Sequence, residues 1–182
     1  MTTQIPPRWD LSNVYPALDS KEYNADFEKL HKLITGMEDL LGAKAAGLTG
    51  KEEVSQLSVL AKEVIERYNE ILLVAGTLRA YLESFVSTDS YNKEALRKES
   101  EFDLVAVKIS QLDVLLLALV GKIAPRLPEM FTNEPKLLAH RYFLEEYARQ
   151  SRYMMSEAEE MLASELSLSG SNAWSKLQGM LT

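Results

Sequence analysis

The chain has 182 residues, a formal net charge of −7, 46% hydrophobic and 26% charged residues, no cysteine, 8 glycines and 6 prolines. That length fits a single domain, 1–182, able to bury about 70% of its unfolded surface without a staple. Missing cysteine excludes disulfides, thiolate nucleophiles and cysteine-based zinc sites, and basic residues scattered among more numerous acids offer no stripe for phosphate, so nucleic acid is not an expected partner.

The N-terminal stretch MTTQIPPRWDLSNVYP has neither the basic start nor the apolar run of a secretory signal. The longest apolar stretch, Val114 to Val120, falls well short of the roughly 20 residues that span a bilayer. A soluble, cytoplasmic protein with no membrane partner is expected. Residues 1–18 carry three of the six prolines and read as an extended arm, with Trp9, Leu11, Val14 and Tyr15 as apolar anchors.

A helix is predicted from near Asp19, with Glu22 completing a capping box. Tyr23, Phe27, Leu30, Ile34, Met37 and Leu41 recur at spacings of four and three, which makes one buried stripe up to Gly42. Thr49 with Glu52 forms a second capping box. Behind it Val54, Leu57, Ala61, Val64, Tyr68, Ile71, Ala75, Leu78, Leu82 and Phe85 keep a heptad rhythm, predicting a helix over about 51–86 packed along one seam.

Thr88, Asp89, Ser90 and Asn92 break this pattern as a polar turn, and Phe102, Val105, Ile109, Leu112, Leu116, Leu119 and Ile123 restore it over about 93–123. Two long helices joined by so short a turn form an antiparallel hairpin. The first would be about 54 Å long, against a diameter of about 40 Å for a compact domain of this size. The hairpin must therefore protrude or lie against something else. Leu104, Val107, Val114, Leu115 and Leu117 add apolar surface off the seam, which calls for neighbours on more than one side.

PRLPEMFTNEP reads as a turn-rich connection, with Asn133 capping a following helix whose apolar residues are Leu137, Leu138, Tyr142, Leu144 and Tyr147. Ser156 with Glu159 caps the next helix, which Gly170 closes. Ser171 or Asn172 then opens another, with Trp174 and Leu177 starting a fresh apolar face. The fold class is all-α: an elongated helical bundle with a long antiparallel hairpin and shorter flanking helices.

Candidate chemistry is sparse. Glu28 and His31 supply half of a carboxylate-bridged di-metal motif, but the other histidine, His140, has Leu137 where the matching glutamate should stand. No His-Glu-x-x-His and no Gly-x-Ser-x-Gly occurs. Glu52 with Glu53, Glu145 with Glu146 and Glu159 with Glu160 fall at helix starts or on polar faces, where solvation is their ordinary role. Tyr142, Tyr147, Arg149, Arg152, Tyr153, Met154 and Met155 crowd one region as packing plus rim or as a contact surface. The polar tip of the hairpin, Ser87 to Tyr91, is well placed to meet a ligand or another domain.

Three stretches together resemble the oligoendopeptidase F family of zinc metallopeptidases, relatives of thimet oligopeptidase: RWDLSNVYP, LRAYLESFVSTDSYN at the hairpin turn, and MSEAEEMLASELSLSGSNAWSKL. The resemblance implies that the chain is the non-catalytic N-terminal lobe that walls a substrate channel for short peptides. Its partner would be a catalytic lobe carrying His-Glu-x-x-His and zinc, and its last helix would be unfinished for that reason. No position here matches the family's zinc ligands. On this view the channel-lining candidates are Tyr81, Ser84, Thr88 and Asp89. The alternative is a free-standing helical interaction module that forms a homo-oligomer through its long hairpin.

Overall fold

The structure, a computed structural model, describes residues 10–45 and 47–181. Helix α1 (Lys21–Leu40) is capped by Ser20, whose Oγ accepts from the Tyr23 backbone N–H at 3.2 Å. The cap thus falls one residue beyond the Asp19 expected from the sequence, because the Ser20 side chain is the one that reaches Tyr23. Tyr23, Leu30, Ile34 and Met37 are buried as the stripe predicts. Gly42 does not stop the chain from winding; α1 passes into a wide π-helical turn over Leu41–Ala45.

Helix α2 (Val54–Thr88) has 35 residues and α3 (Lys93–Ile123) has 31. At 1.5 Å per residue they are about 52 and 46 Å long. The heptad seam of α2 is buried from Leu57 to Leu82, and Ser58, Ile65, Val74 and Tyr81 widen it into a second buried stripe. Asn92 caps α3 through its Oδ1 and the Ala95 N–H at 3.0 Å. Tyr68 donates to Asp113 at 2.8 Å, and Arg126 reaches the Glu52 carbonyl at 3.5 Å. Together with the short turn at Asp89–Asn92, those two pairs show that the two helices run antiparallel.

The capping box predicted at Thr49 closes locally instead of starting a helix. Glu52 Oε1 accepts from the Thr49 N–H at 2.8 Å, while α2 begins at Val54. The preceding loop is held against α3 by Gly50, whose φ is 75° and where a Cβ would lie 2.3 Å from the Lys122 carbonyl oxygen. Only glycine meets both conditions there.

The segment read as a turn-rich connection is helical. Helix α3 turns through a 3₁₀ step at Ala124–Arg126 straight into α4 (Leu127–Asn133), and Asn133 ends this helix where the spacing had it starting one. Pro125 and Pro128 each fall in a first turn, where a missing N–H costs nothing, so they start helical turns instead of breaking them. Leu127, Met130 and Phe131 bury the inner face of α4 against α2. Glu134 caps the 3₁₀ turn Pro135–His140 through the Lys136 N–H at 3.3 Å, and α5 (Arg141–Gln150) follows.

Ser156 and Glu159 form the predicted capping box in full, with the Ser156 N–H donating to Glu159 Oε2 at 2.9 Å, and it opens α6 (Glu157–Leu166). The last helix, α7 (Ser171–Leu181), already contains Ser171 and Asn172; the Gly170 carbonyl accepts its first bond, from Trp174 N–H at 3.2 Å. Neither expected cap is therefore used. Lys176 ties α7 to α3 by pairing with Asp103 and, at 3.3 Å, with Glu99.

The architecture is the expected elongated all-α bundle, with no strand among the described residues. Helix α3 is its axis, touching α1, α2, α5 and α6, so most of the apolar surface off its seam is half-buried and Leu104 alone of the five stays exposed. Helices α2 and α3 are each long and apolar enough to cross a membrane by length and composition, which the count of consecutive apolar residues misses. In this fold each contributes a buried seam to the core, and Asp113, inside the apolar part of α3, accepts from Tyr68 on α2 and from Tyr147 on α5 at 2.8 and 2.5 Å.

Of the N-terminal arm, Trp9 lies outside the described residues. Residues 11–15 form a tight turn, with the Val14 and Tyr15 N–H groups both donating to the Leu11 carbonyl at 2.9 and 3.2 Å. Tyr15 and Leu18 are buried, while Val14 points outward.

Candidate functional site

Of the four channel-lining candidates from the sequence, Tyr81 is buried, Ser84 is half-buried, and Thr88 and Asp89 are exposed at the hairpin tip. Tyr81 is 4% exposed and its hydroxyl donates to the Tyr15 carbonyl at 3.0 Å. Its ring meets Tyr15 edge-on at 5.0 Å and Phe85 at 5.0 Å. Ser84 donates to the Tyr81 carbonyl at 2.6 Å and Thr88 to the Ser84 carbonyl at 2.8 Å, so both hydroxyls bond their own helix. Asp89 accepts from the Tyr91 N–H at 3.1 Å and closes the turn. The hairpin tip presents Ser87 to Ser90 outward together with the Tyr91 ring.

The histidines make no metal site with their neighbours. His31 packs edge-on against Phe27, with ring centroids 5.1 Å apart, and His140 ends the 3₁₀ turn before α5. No group of three histidines or carboxylates among the described residues could hold a metal ion.

The concave feature lies elsewhere. Helices α4 and α5, with the 3₁₀ steps between and beyond them and Gly121 of α3, border an open cleft of about 930 Å³. Leu138 gives it apolar surface, with the edges of the buried Leu127 and Phe131 behind, and Arg141, Arg149 and Arg152 line the same space. The placement follows from helical spacing: Arg141, Glu145 and Arg149 stand four apart on one face of α5, and Arg152 extends that face into the next turn. Arg141 crosses the cleft to lie over the Phe131 ring at 5.9 Å, a cation–π contact between α5 and α4.

Two of the three guanidinium groups have carboxylate partners. Arg141 pairs with Glu145 at 2.7 Å and Arg149 with Glu146 at 2.5 Å. Hydrogen bonds from Arg149 and Gln150 hold the Glu146 carboxyl at about 2, well below its usual range. Arg152 is exposed and has no ion pair among the described residues. The floor is set by Gly121 of α3, where a Cβ would lie 2.8 Å from both Cβ and Oγ of Ser151. That contact brings the turn carrying Arg152 against α3.

The crowded stretch 142–155 is thereby sorted. Tyr147 turns inward to Asp113, Arg149 and Arg152 line the cleft, and Tyr142, Tyr153 and Met155 face out. Sequence reasoning missed Arg141 and the whole α4 wall. The fourfold spacing of Arg141, Glu145 and Arg149 was the available signal.

The fold and site define an all-helical bundle with an arginine-lined cleft and, among the described residues, no group of three potential metal ligands. Residues 126–182 match the family model for Oligopeptidase F, which describes the N-terminal region of such peptidases. This supports the resemblance read from the sequence, and the part of the cleft from Leu127 to Arg152 lies inside the matched segment. No curated protein and no solved structure matches the chain.

Proposed function

We propose that this chain is the non-catalytic N-terminal lobe of an oligoendopeptidase F-like zinc metalloendopeptidase that hydrolyses short peptides in the cytoplasm. Zinc and the residues that bind it would belong to a catalytic lobe outside these 182 residues, and the two lobes together would wall the substrate channel. The observation that carries this reading is the family match over 126–182. It is supported by the apolar residues that α6 and α7 leave exposed within that segment, Leu162, Leu166, Trp174 and Leu177. A row of large apolar side chains in water is the mark of a surface that another body covers.

Two measurements test it. The coding sequence beyond Thr182 should run into His-Glu-x-x-His, and the product of the whole reading frame should cleave an unstructured peptide in a chelator-sensitive way. The 182-residue chain alone, supplied with zinc, should cleave nothing. A stop codon after Thr182 together with no cleavage would sink the reading.

A second reading is favoured by a different face. Val59, Leu72 and Leu73 on α2 and Leu104 on α3 are exposed, Leu73 by 71%, as a helical module that self-associates through its hairpin would require. That reading predicts a stable dimer that Leu73→Ser dissociates.

A further inference from the structure

We propose that the cleft between α4 and α5 is a binding site for the free C-terminal carboxylate of a short apolar peptide, with Arg152 as its principal anchor. The proposal takes from the preceding section only the choice of short peptides as ligands.

Charge and shape carry it. The chain as a whole bears −7, yet this concavity gathers three guanidinium groups against Glu145 and Glu146, which leaves one cation without an ion pair among the described residues. A guanidinium binds carboxylate through two parallel N–H bonds, a geometry an ammonium cannot offer. Arg152 is free to make both. Arg149 lies one helical turn earlier on the same face, and its Nε and Nη2 are engaged by the two oxygens of Glu146 at 2.9 and 2.5 Å, so it contributes field more than a second fork.

The walls select what precedes the carboxylate. Leu138, half exposed, lines the cleft beside the arginines, with the edge of the otherwise buried Phe131 behind it, so an apolar side chain next to the terminus would cover Leu138 as its carboxylate meets Arg152. The Arg141 guanidinium, stacked over Phe131 and paired with Glu145, forms the rim between those two environments. The volume of about 930 Å³ is that of a ligand site for a few residues, within the usual range of such pockets. A phosphate or a longer acidic segment would use the charge and leave the apolar walls unused.

The test measures binding to the 182-residue chain by fluorescence anisotropy of an N-terminally labelled tetrapeptide of alanine and leucine ending in phenylalanine, made as the free acid and as the C-terminal amide. The acid should bind at least about tenfold more tightly, as expected for one charge-assisted hydrogen-bonded pair. Arg152→Gln should bring the ratio of the two affinities close to one. Because Arg152 is exposed and unpaired, the variant should keep the parent's thermal midpoint, so loss of fold will not mimic loss of site. Equal binding of acid and amide, no binding of either, or an acid preference that survives Arg152→Gln would each overturn the proposal. None of these readouts involves hydrolysis. A parent enzyme that cleaves peptides while this chain ignores the terminus would sink the cleft assignment alone, and the converse would sink the peptidase reading alone.

Discussion

The hydroxyl of Tyr81 on α2 donates to the backbone carbonyl of Tyr15 at 3.0 Å, joining residues 66 positions apart. Tyr15 in turn donates to Asp26 on α1 at 2.7 Å, and its ring lies edge-on to both Tyr23 and Tyr81. The N-terminal turn is thereby fastened to two helices at once. Tyr23, at the centre of this cluster, is fully buried, yet its hydroxyl has no hydrogen-bond partner among the described residues.

Two conservative substitutions should therefore move stability in opposite directions. Tyr81→Phe strands the Tyr15 carbonyl in an apolar site and should cost about 1–2 kcal/mol, which for a chain of this size lowers the melting temperature by about 2–8 °C. Tyr23→Phe removes a polar atom with nothing to bond and should be neutral or stabilising by up to about 1 kcal/mol. Calorimetric melting of both variants checks the pair, and a Tyr23→Phe protein less stable than Tyr81→Phe would contradict the assignment.

Alkali should unfold this protein through its phenols. Burial is the largest cause holding the Tyr15, Tyr23, Tyr68, Tyr81 and Tyr147 hydroxyls above their ordinary value; Asp26 adds to it at Tyr15, and Asp113 at Tyr68 and Tyr147. Tyr23 is pushed up to about 12. Since the folded state favours the protonated phenol, its contribution is intact below about pH 10, the unfolded value, and is lost as pH climbs toward the folded values. Urea midpoints measured from pH 8 to 11.5 should hold steady and then fall above about pH 10. In Tyr147→Phe the fall should be shallower, from a lower plateau. A midpoint unchanged at pH 11.5 would refute this linkage.

Two glycines inside long helices should answer alanine oppositely. Gly76 on α2 has nothing within 4 Å of a built Cβ, so Gly76→Ala should stabilise by about 0.5–1 kcal/mol through lower backbone entropy in the unfolded chain. Gly121→Ala places a methyl group 2.8 Å from Ser151, and overpacking of about 1–3 kcal/mol should outweigh the same gain. Gly121→Ala with Ser151→Gly should recover most of that loss. A double-mutant cycle by denaturant unfolding reads the coupling, and additive effects would mean that α3 and the Ser151 turn do not meet as described.

Much of the architecture was legible because it rests on local signals. Both ends of α3 coincide with prediction, since Asn92 caps through its own side chain and Pro125 marks the change of direction. The α2 seam and the Ser156–Glu159 box are likewise within reach of a few residues. Helix α4 was hidden because a proline reads as a breaker unless one knows it occupies a first turn, and with α4 went the wall of the cleft. Tyr81 was misplaced for a different reason. It was grouped with the hairpin tip, but its hydroxyl bonds a backbone carbonyl 66 residues away, and no spacing rule foretells such a contact.

The exposed apolar row on α6 and α7 should make the isolated chain sticky. Trp174 is 72% exposed and Leu177 is 46% exposed, although α7 is anchored to α3 by Lys176 with Asp103 and Glu99. The helix is therefore held in place with part of its apolar surface toward water. Burying such a surface is worth roughly 25 cal/mol per Å², against an association cost of about 4–15 kcal/mol, so self-association should be weak and concentration-dependent. Sedimentation velocity across the micromolar range should show concentration-dependent self-association, with binding of a hydrophobic dye. Trp174→Ser with Leu177→Ser should abolish both while leaving the melting temperature within about 2 °C, because neither side chain is buried in the bundle. If Leu73→Ser on α2 dissociates the assembly and the α7 pair does not, the hairpin is the sticky face and the helical-module reading gains over the lobe.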